Sequence, residues 1–325
     1  MSWLVTGGAG YIGAHIVRAL AEAGLSPVVL DDVSSGHESF IPEGVPFVRG
    51  TILDQQLVTD TLREHDAEGV IHVAGFKYAG VSVQRPLHTY EQNVEGTRAV
   101  LAAMADAGVS NLVFSSSAAV YGTPDVPLVT EDLPKRPASP YGESKLIGEW
   151  LIAAQGVATA ASDTPLRHTS LRYFNVVGSG DPTVYDTSPH NLFPIVFEML
   201  LEGKTPRING DDYDTPDGTN VRDYVHVGDI AAAHVAAAQR LIAGEPIEAA
   251  YNLGSQNGLS VREIMDAMAR VTGIAFTPEV GPRRPGDPDR IVATGELAAR
   301  DLDWQMRYSI DEMVRTGWEA RQNAL

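Results

Sequence analysis

The stretch Trp3-Leu4-Val5-Thr6-Gly7-Gly8-Ala9-Gly10-Tyr11-Ile12-Gly13 opens the chain and decides its fold class. Its apolar start predicts a short buried strand, and the apolar spacing from Ile16 to Gly24 predicts a helix behind it. Between them Gly8, Gly10 and Gly13 satisfy the pattern G-x-G-x-x-G. Such glycines permit a tight turn and a close approach of the backbone to a pyrophosphate, for which the helix N-terminus supplies N–H groups. The stretch therefore predicts a dinucleotide site, with a turn that binds nothing as the alternative.

An acidic pair follows the second predicted strand, Pro27–Leu30. Asp31 lies where a carboxylate accepts hydrogen bonds from the adenosine ribose hydroxyls of a dinucleotide, and it would repel a 2′-phosphate. No Arg or Lys follows until Arg49. We therefore predict NAD rather than NADP, against the alternative of a solvated loop aspartate.

Strands and helices alternate through the rest of the first half. Apolar runs predict further strands at Phe47-Val48, Gly69–Val73, Asn111–Phe114 and Arg167–Phe174. Helical patterns cover about 87–107 and begin again at Pro140. Such alternation implies the α/β class, a doubly wound parallel (Rossmann) sheet with right-handed crossovers. Ligands of such sheets bind beyond the carboxyl ends of the strands.

The composition of the sequence changes after Asn175. Residues 178–190, 210–220 and 281–290 are rich in Gly, Pro, Asp, Thr or Arg and predict loops, which on one lobe indicate a substrate lid. Further elements are predicted as helices at about 192–202, 227–243, from 260 and at about 309–322, and a strand at 251–253. We predict two domains. Residues 1–176 with about 221–256 form the NAD-binding Rossmann domain, and about 177–220 with 257–325 form a smaller α+β substrate-binding lobe, for which the resemblance described below implies a UDP-sugar.

The segment Ser139-Pro140-Tyr141-Gly142-Glu143-Ser144-Lys145 carries the candidate chemistry. Pro140 suits a first helical turn, and Ser139 before it can cap the helix. On that helix Tyr141 and Lys145 lie four residues apart and share a face. A phenol has an unperturbed pKa of about 10, but a neighbouring ammonium favours the phenolate. The pair predicts a proton acceptor near neutral pH, against the alternative of two exposed helix residues.

Charge and composition exclude several classes of protein. The net charge of −18 argues against general binding to nucleic acid or to an anionic membrane. The absence of cysteine excludes disulfides and thiolate metal sites, and the histidines lack metal-like spacing, so we predict no metal. The chain enters a strand without a leader, and no apolar run approaches the roughly 18–20 residues of a membrane span. We expect a cytoplasmic protein.

Taken together, the motifs resemble the extended short-chain dehydrogenase/reductase family nearly end to end. The matching segments are TGGAGYIG at 6–13, FSSSAAVYG at 114–122, SPYGESK at 139–145, LRYFNVVG at 171–178, DGTNVRDYVHV at 217–227, YNLG at 251–254 and PRRPGD at 282–287. The resemblance implies an isomerase of galactose metabolism with tightly bound NAD. It would interconvert UDP-glucose and UDP-galactose through a transient 4-keto sugar. It also implies a homodimer formed through helices at about 88–107 and 141–155.

The resemblance further implies the residues of each site. Those that would hold NAD are Gly7, Gly10, Tyr11, Ile12, Gly13, Asp31, Asp32, Ser34, Ser35, Gly36, Thr51, Ile52, Val73, Ala74, Gly75, Lys77, Asn93, Ser115, Tyr141, Lys145 and Phe174. Those that would hold the UDP-sugar are Lys77, Ser117, Ala118, Ala119, Tyr141, Phe174, Asn175, Asn191, Leu192, Arg207, Ile208, Asn209, Arg222, Arg284 and Asp287. The arginines also follow from the residues themselves, because an acidic protein that binds a diphosphate needs fixed, bidentate cations.

The implied chemistry rests on Tyr141, Lys145 and Ser117. Tyr141 as phenolate would remove the proton of the sugar C4 hydroxyl, and Lys145 would lower the pKa of that phenol. Ser117 would bind the same oxygen. No net oxidation occurs, so NAD should stay bound between turnovers.

Two positions depart from the family pattern. The family commonly places Asp after Gly behind the third strand, whereas Thr51 follows Gly50 here, which leaves the adenine contact open. A position that influences acceptance of the N-acetyl group matches Ile291, which is neither a large aromatic nor the smallest type. N-acetylated substrates are therefore undecided.

Two other classes of function compete with this interpretation. The first is another nucleotide-sugar enzyme on the same frame: a dehydratase, a decarboxylase or a uronate epimerase. Dehydratases carry an Asp-Glu pair after the fifth strand, whereas this chain has Ser117-Ala118-Ala119, which counts against one. The second is a non-catalytic NAD-binding regulator, which would have no reason to keep Ser117, Tyr141 and Lys145 together.

Overall fold

A parallel sheet forms the centre of the molecule. The computed structural model describes residues 1–284 and 287–325, and within them this sheet has seven strands. The strands are β1 Ser2–Thr6, β2 Ser26–Asp31, β3 Phe47–Arg49, β4 Ala67–His72, β5 Asn111–Ser117, β6 Arg167–Tyr173 and β11 Ala250–Leu253. Their order is β11-β6-β5-β4-β1-β2-β3, and every pair is parallel. The order reverses between β1 and β4, which opens a crevice at the carboxyl ends of these strands. The predicted Rossmann class is confirmed.

Helices cover both faces of this sheet. In the part of the chain that the structure describes, the helices, not all of which touch the sheet, are α1 Tyr11–Glu22, α2 Gln55–Glu64, α3 Ala79–Ser82, α4 Pro86–Tyr90, α5 Gly96–Ala107, α6 Pro140–Thr159, α7 Leu192–Leu201, α8 Val227–Ile242, α9 Val261–Thr272, α10 Glu296–Leu302 and α11 Ile310–Asn323. None of them, over the described residues, is long and apolar enough to cross a membrane. Apolar residues of α1 and α8 form one core with the sheet, and those of α2, α5 and α6 form the opposite one. Successive strand residues alternate between the two cores, because side chains of a strand point to opposite faces.

A separate core lies outside the sheet and is called the second core below, in distinction from the two faces of the sheet. It joins apolar residues of α7, α9 and α11, with Phe197, Met265 and Trp318 among them. The predicted division into two domains remains a prediction. The segment 296–304 falls in the predicted second lobe, yet Ala298, Leu302 and Trp304 pack in the core of α1 and α8.

Short strands link the two parts and were not predicted from the sequence, whereas the strand predicted at 251–253 is β11 of the large sheet. They are β7 Asn175–Val177, β8 Arg207–Asn209, β9 Val221–Arg222, β10 Tyr224–His226, β12 Leu259–Ser260, β13 Glu279–Gly281 and β14 Arg290–Ile291. Each pairs with a segment remote in the chain, such as β7 with β10 and β13 with β8. Two or three residues carry too little periodicity to reveal such pairing.

The helix predicted over about 87–107 is interrupted. The structure has α4, then a π-helical turn at Glu91–Glu95, then α5, which ends at Gly108 with φ +74°. Asn93 lies in the π turn and is buried. Such bulges are frequent at functional sites, because they aim a side chain that a regular helix would turn away.

Candidate active site

A cavity of about 840 Å³ lies at the carboxyl ends of the sheet strands and extends toward the second core. Most of the predicted site residues line it: Gly7, Gly10, Tyr11, Ile12, Gly13, Asp31, Asp32, Ser34, Ser35, Gly36, Ile52, Val73, Ala74, Gly75, Lys77, Tyr141, Lys145, Phe174, Asn175, Asn191, Leu192, Arg207, Asn209, Arg222, Arg284 and Asp287. Residues spread over 280 positions of the sequence thus meet around one space. Pro285 and Gly286 of the PRRPGD segment lie outside the described residues.

Seven predicted residues are not among those that line the cavity: Thr51, Asn93, Ser115, Ser117, Ala118, Ala119 and Ile208. Ile208 is buried in the second core. The Asn93 side chain accepts from the Phe76 N–H at 2.6 Å and donates to the Phe76 carbonyl at 3.0 Å, so it holds the loop after β4. Thr51 accepts a 3.3 Å hydrogen bond from the Leu53 N–H.

The glycine loop fits a dinucleotide. Gly7 has φ +74°, and a Cβ there would come within 2.7 Å of the Ala74 backbone nitrogen. A Cβ on Gly13 would come within 2.1 Å of the Gly7 carbonyl oxygen. The loop therefore packs backbone against backbone and leads into α1, whose N-cap Gly10 has no side-chain cap. The first N–H groups of α1 stay available for a phosphate.

Asp31 is fixed at the end of β2. One carboxylate oxygen accepts from the Ala9 N–H at 3.0 Å and the other from the Val33 N–H at 2.8 Å. Burial raises the pKa of Asp31, while these two hydrogen bonds act in the opposite direction. The residue ties the glycine loop to the loop after β2 and presents an acid at the cavity wall, which suits a ribose diol.

Helix α6 begins as its sequence predicts. Ser139 is the N-cap and accepts from the Gly142 N–H at 3.2 Å, and Pro140 is the first helical residue. Lys145 is buried, its Nζ donates to the Ser115 carbonyl at 2.8 Å, and burial lowers the pKa of Lys145 to about 8. Tyr141 and Lys145 both line the cavity.

The sequence predicts a lowered pKa for the Tyr141 phenol, and the chain alone does not give it one. Burial raises the pKa of Tyr141 in the chain alone, and hydrogen bonding with Ser117 lowers it only in part. Desolvation penalises the charged form, so it outweighs the hydrogen bond. A lowered pKa at this phenol therefore requires a further positive charge in the cavity.

The far end of the cavity carries arginines. Arg222 forms an ion pair with Asp287 at 2.5 Å, and Asn220 donates to the other Asp287 oxygen at 2.9 Å. Arg207 and Arg284 also line the cavity and are exposed. This end can hold an anion by several cations, and Asp287 orients one of them.

Most of the chain matches a family model. The model of the NAD dependent epimerase/dehydratase family matches residues 3–254. The chain belongs to this family. The match spans the whole sheet, from β1 to β11.

Known proteins resemble the chain over its full length. The UDP-glucose 4-epimerase of Lactobacillus helveticus is 41% identical over 324 residues, which cover 98% of this chain and 96% of that protein. The crystal structure of the Stenotrophomonas maltophila UDP-glucose-4-epimerase, with bound NAD and formylated UDP-arabinopyranose, matches with TM-score 0.94 and 37% identity, over 100% and 98% of the two chains. The Bifidobacterium longum UDP-glucose 4-epimerase in complex with NAD+ and UDP matches with TM-score 0.88 and 34% identity, over 99% and 98%.

Several cavity residues of this family member were missed by the sequence analysis. Asp186 lines the cavity and accepts from the Asn191 side chain at 2.7 Å and the Ser188 N–H at 2.9 Å. Tyr173 lines it beside Tyr141. The loop at 178–190 and the segment LRYFN signalled both regions, but no local pattern marks which side chain turns inward.

Proposed function

We propose that the protein is an NAD-dependent 4-epimerase that interconverts UDP-glucose and UDP-galactose. The observation that supports this proposal most strongly is that one cavity contains the glycine loop, the Tyr141–Lys145 pair and the arginine end. The relatives named above are UDP-glucose 4-epimerases, and the cited structures hold NAD with UDP or a UDP-sugar.

The cofactor would occupy the part of the cavity around the glycine loop. The N–H groups at the start of α1 would bind its pyrophosphate, and Asp31 would accept from its adenosine ribose. Lys145 would hold the nicotinamide ribose. When bound, NAD supplies the hydride acceptor that turns the C4 alcohol into a ketone and the donor that restores it, and its pyridinium adds the positive charge that the Tyr141 phenol lacks.

The chain's own residues would move the proton. Tyr141 as phenolate takes the proton of the C4 hydroxyl and later returns it. Ser117, at the end of β5, would bind the same sugar oxygen. Because inversion at C4 needs access to both faces of the sugar, the hexose would have to turn within the site while the nucleotide stays held.

The arginine end of the cavity would supply that hold. Arg207, Arg222 and Arg284 offer guanidinium groups to the diphosphate, which they can grip bidentately. The Arg222–Asp287 pair fixes one guanidinium before the substrate arrives. Tight binding of the nucleotide, with few fixed contacts to the hexose, would allow the hexose to turn.

The first turn after β5 argues against a dehydratase. Ala118–Tyr121 forms a 3₁₀ turn directly after Ser117, and it carries no carboxylate. Elimination of water needs a second acid–base pair, which dehydratases of this kind place at this turn.

The test is a product assay. Purified protein given UDP-galactose, without added NAD, should form UDP-glucose, and a panel of UDP-hexoses with and without the N-acetyl group should define the range. A requirement for free NADPH, or release of a keto product, would refute the proposal.

We also propose a homodimer through α5 and α6. Trp150 and Val157 are 61% and 79% exposed and lie seven residues apart, so they share one face of α6. Light scattering should give twice the monomer mass, and Trp150→Glu should halve it. The matched control Val280→Glu, also at an exposed apolar residue, should leave the mass unchanged.

A further inference from the structure

One carboxylate on the cavity wall has only neutral partners. Asp186 lines the cavity, and its two oxygens accept from the Ser188 N–H at 2.9 Å and from the Asn191 side chain at 2.7 Å. Within residues 1–284 and 287–325, no side chain forms an ion pair with it at 4.0 Å or less. A carboxylate that borders a cavity in this way is stabilised by any ligand that brings a hydrogen-bond donor.

A lysine on a neighbouring part of the wall is in the same situation. Lys77 follows β4, lines the cavity and forms no ion pair within the described part of the chain. Its Nζ lies 5.5 Å from the centroid of the Tyr78 ring, and the centroids of Tyr78 and His190 are 4.9 Å apart. The loop after β4 therefore meets, at these two rings, the segment that carries Asp186.

The two charges act on each other without touching. Burial raises the pKa of Asp186, while the hydrogen bond from Asn191 and the positive charge of Lys77 act in the opposite direction. A group that fills the space between them must donate to the carboxylate and accept from the ammonium. A hydroxyl does both, whereas an ionised carboxylate only accepts.

This space lies between the two ends of the cavity. On one side the loop after β4 adjoins the candidate catalytic pair, since a Cβ on Gly75 would lie 4.0 Å from Lys145 Nζ. On the other side the segment with Asp186 continues into α7, which packs in the second core beside Ile208 of β8, the strand that begins with Arg207. In the proposed function the hexose lies between these two ends.

We infer that Asp186 and Lys77 form a hydroxyl site for the hexose, and that Asp186 selects an uncharged UDP-hexose over a UDP-hexuronate. The inference deepens the proposed function and rests on it for the place of the hexose. A C6 alcohol can donate to Asp186, whereas a C6 carboxylate would be repelled. Because hydroxyls surround the hexose ring, the site can bind one of them before and after the sugar turns.

The groups beside Asp186 support this selectivity. Lys77 alone would attract a hexuronate, so the discrimination depends on the carboxylate. The amide nitrogen of Asn191 donates to Asp186, which leaves its oxygen as a second acceptor. A carboxylate and an amide oxygen side by side favour a ligand rich in donors and disfavour an anion.

The first test measures binding without turnover. NAD-loaded Tyr141→Phe protein, which should not convert its ligands, is titrated in a calorimeter with UDP, UDP-glucose and UDP-glucuronate. UDP-glucose should bind at least about tenfold more tightly than UDP-glucuronate, as expected for repulsion between two partly screened charges. Equal affinities for the two sugars would overturn the inference.

The second test removes the charge of Asp186. In the same Tyr141→Phe background, Asp186→Asn keeps the size of the side chain, and the ratio of the Kd of UDP-glucuronate to that of UDP-glucose should fall about tenfold or more. Asp181→Asn is the matched control, because it removes a carboxylate of the same segment that pairs with Arg18 and is not part of the cavity lining. It should leave the ratio unchanged. If Asp186 only supports the segment, both variants weaken the two sugars equally, and the inference fails.

The ribose of the cofactor carries the same diol chemistry and gives a different result. Asp186→Asn would then release NAD during gel filtration and leave the Kd of UDP-glucose relative to UDP unchanged, which would contradict the inference. We expect NAD to be retained and UDP-glucose to lose about fivefold relative to UDP. If the wild type does not interconvert UDP-galactose and UDP-glucose, the proposed function fails, while the Kd ratios still decide the selectivity of Asp186.

Discussion

At the scale of single residues, the chemistry depends on how one phenol is surrounded. Tyr141 is disfavoured as an anion by burial and favoured by Ser117. Lys145 donates to the Ser115 carbonyl, and the charge of Glu149 acts on it. Tyr141 therefore needs the positive charge of a bound cation to act as a base.

Removing the phenol oxygen should stop the reaction. Tyr141→Phe should lower kcat by about 10²–10⁴-fold, the usual worth of a general base. Bound NAD, measured after denaturing the purified protein, should stay at the wild-type level. Tyr90→Phe, which removes a phenol that hydrogen-bonds Glu143 outside the cavity lining, is the control. A Tyr141→Phe rate within threefold of wild type would contradict the base assignment.

Removing the paired guanidinium should weaken binding more than chemistry. Arg222→Met should raise KM for UDP-galactose about 10–100-fold, because a charge-assisted pair to the diphosphate is lost and Asp287 is left uncompensated. kcat should fall less. Steady-state kinetics separate the two constants, and Arg283→Met, at an exposed arginine that is ion-paired with Asp289, is the matched control.

At the scale of elements, the start of α6 sets the position of the site. Ser139 caps this helix, and the Tyr141 N–H donates to Ser82 Oγ of α3 at 3.1 Å. A Cβ at Gly142 would come within 2.5 Å of the Ala119 carbonyl oxygen, so the helix packs tightly on the turn after Ser117. The first turn of α6 is therefore aligned with the end of β5.

Loss of this cap should affect both stability and activity. Ser139→Ala should destabilise the protein by about 1 kcal/mol and also lower kcat, because it loosens the turn that carries Tyr141. Ser309→Ala removes a similar cap from α11, remote in sequence from Tyr141, and should cost similar stability with unchanged kcat. Thermal melts and turnover rates of the two variants check this. Equal loss of kcat in both would show that the cap acts only through global stability.

At the scale of the whole molecule, the segment 178–190 contacts helix α1 of the Rossmann sheet. Tyr11 donates to the Gly178 carbonyl at 2.6 Å, and Arg18 pairs with Asp181 at 2.7 Å. His15 accepts from the Gly180 N–H at 2.9 Å. His226 hydrogen-bonds Thr316 at 3.1 Å. The neutral rings of His15 and His226 thus each connect segments that are remote in the sequence.

These histidines should make stability depend on pH. Burial lowers the pKa of His15, His226 and His234 to about 4. A group with a depressed folded-state pKa stabilises fully above its unfolded pKa of about 6.5 and loses this as pH falls toward 4. Each contributes at most about 3 kcal/mol. Asp223, raised by burial to about 6, opposes them, since its contribution is lost as pH rises through 6.

We therefore expect Tm to fall between pH 6.5 and pH 4.5, because the lowered pKa values of four buried histidines, His72 at about 3 among them, outweigh the raised pKa values of the buried carboxyls. Those carboxyls are Asp31, Glu131, Asp186, Asp223 and Asp229. Thermal melts over this range measure the effect. His15→Gln should give a shallower dependence, whereas the control His65→Gln, at a ring that is only partly buried, should not. A Tm that is flat or rises on acidification would contradict this assignment.

The sequence by itself determined the Rossmann class, the glycine loop and the shared face of Tyr141 and Lys145. These follow from local rules: the period of apolar residues, the conformational freedom of glycine and the four-residue repeat of a helix. Only the tertiary structure decided that Arg222 pairs with Asp287, that Asp186 and Tyr173 face the cavity, and that His234 hydrogen-bonds Ser115. Those contacts join residues tens to more than a hundred positions apart, and a local pattern carries no information about which distant side chain will meet it.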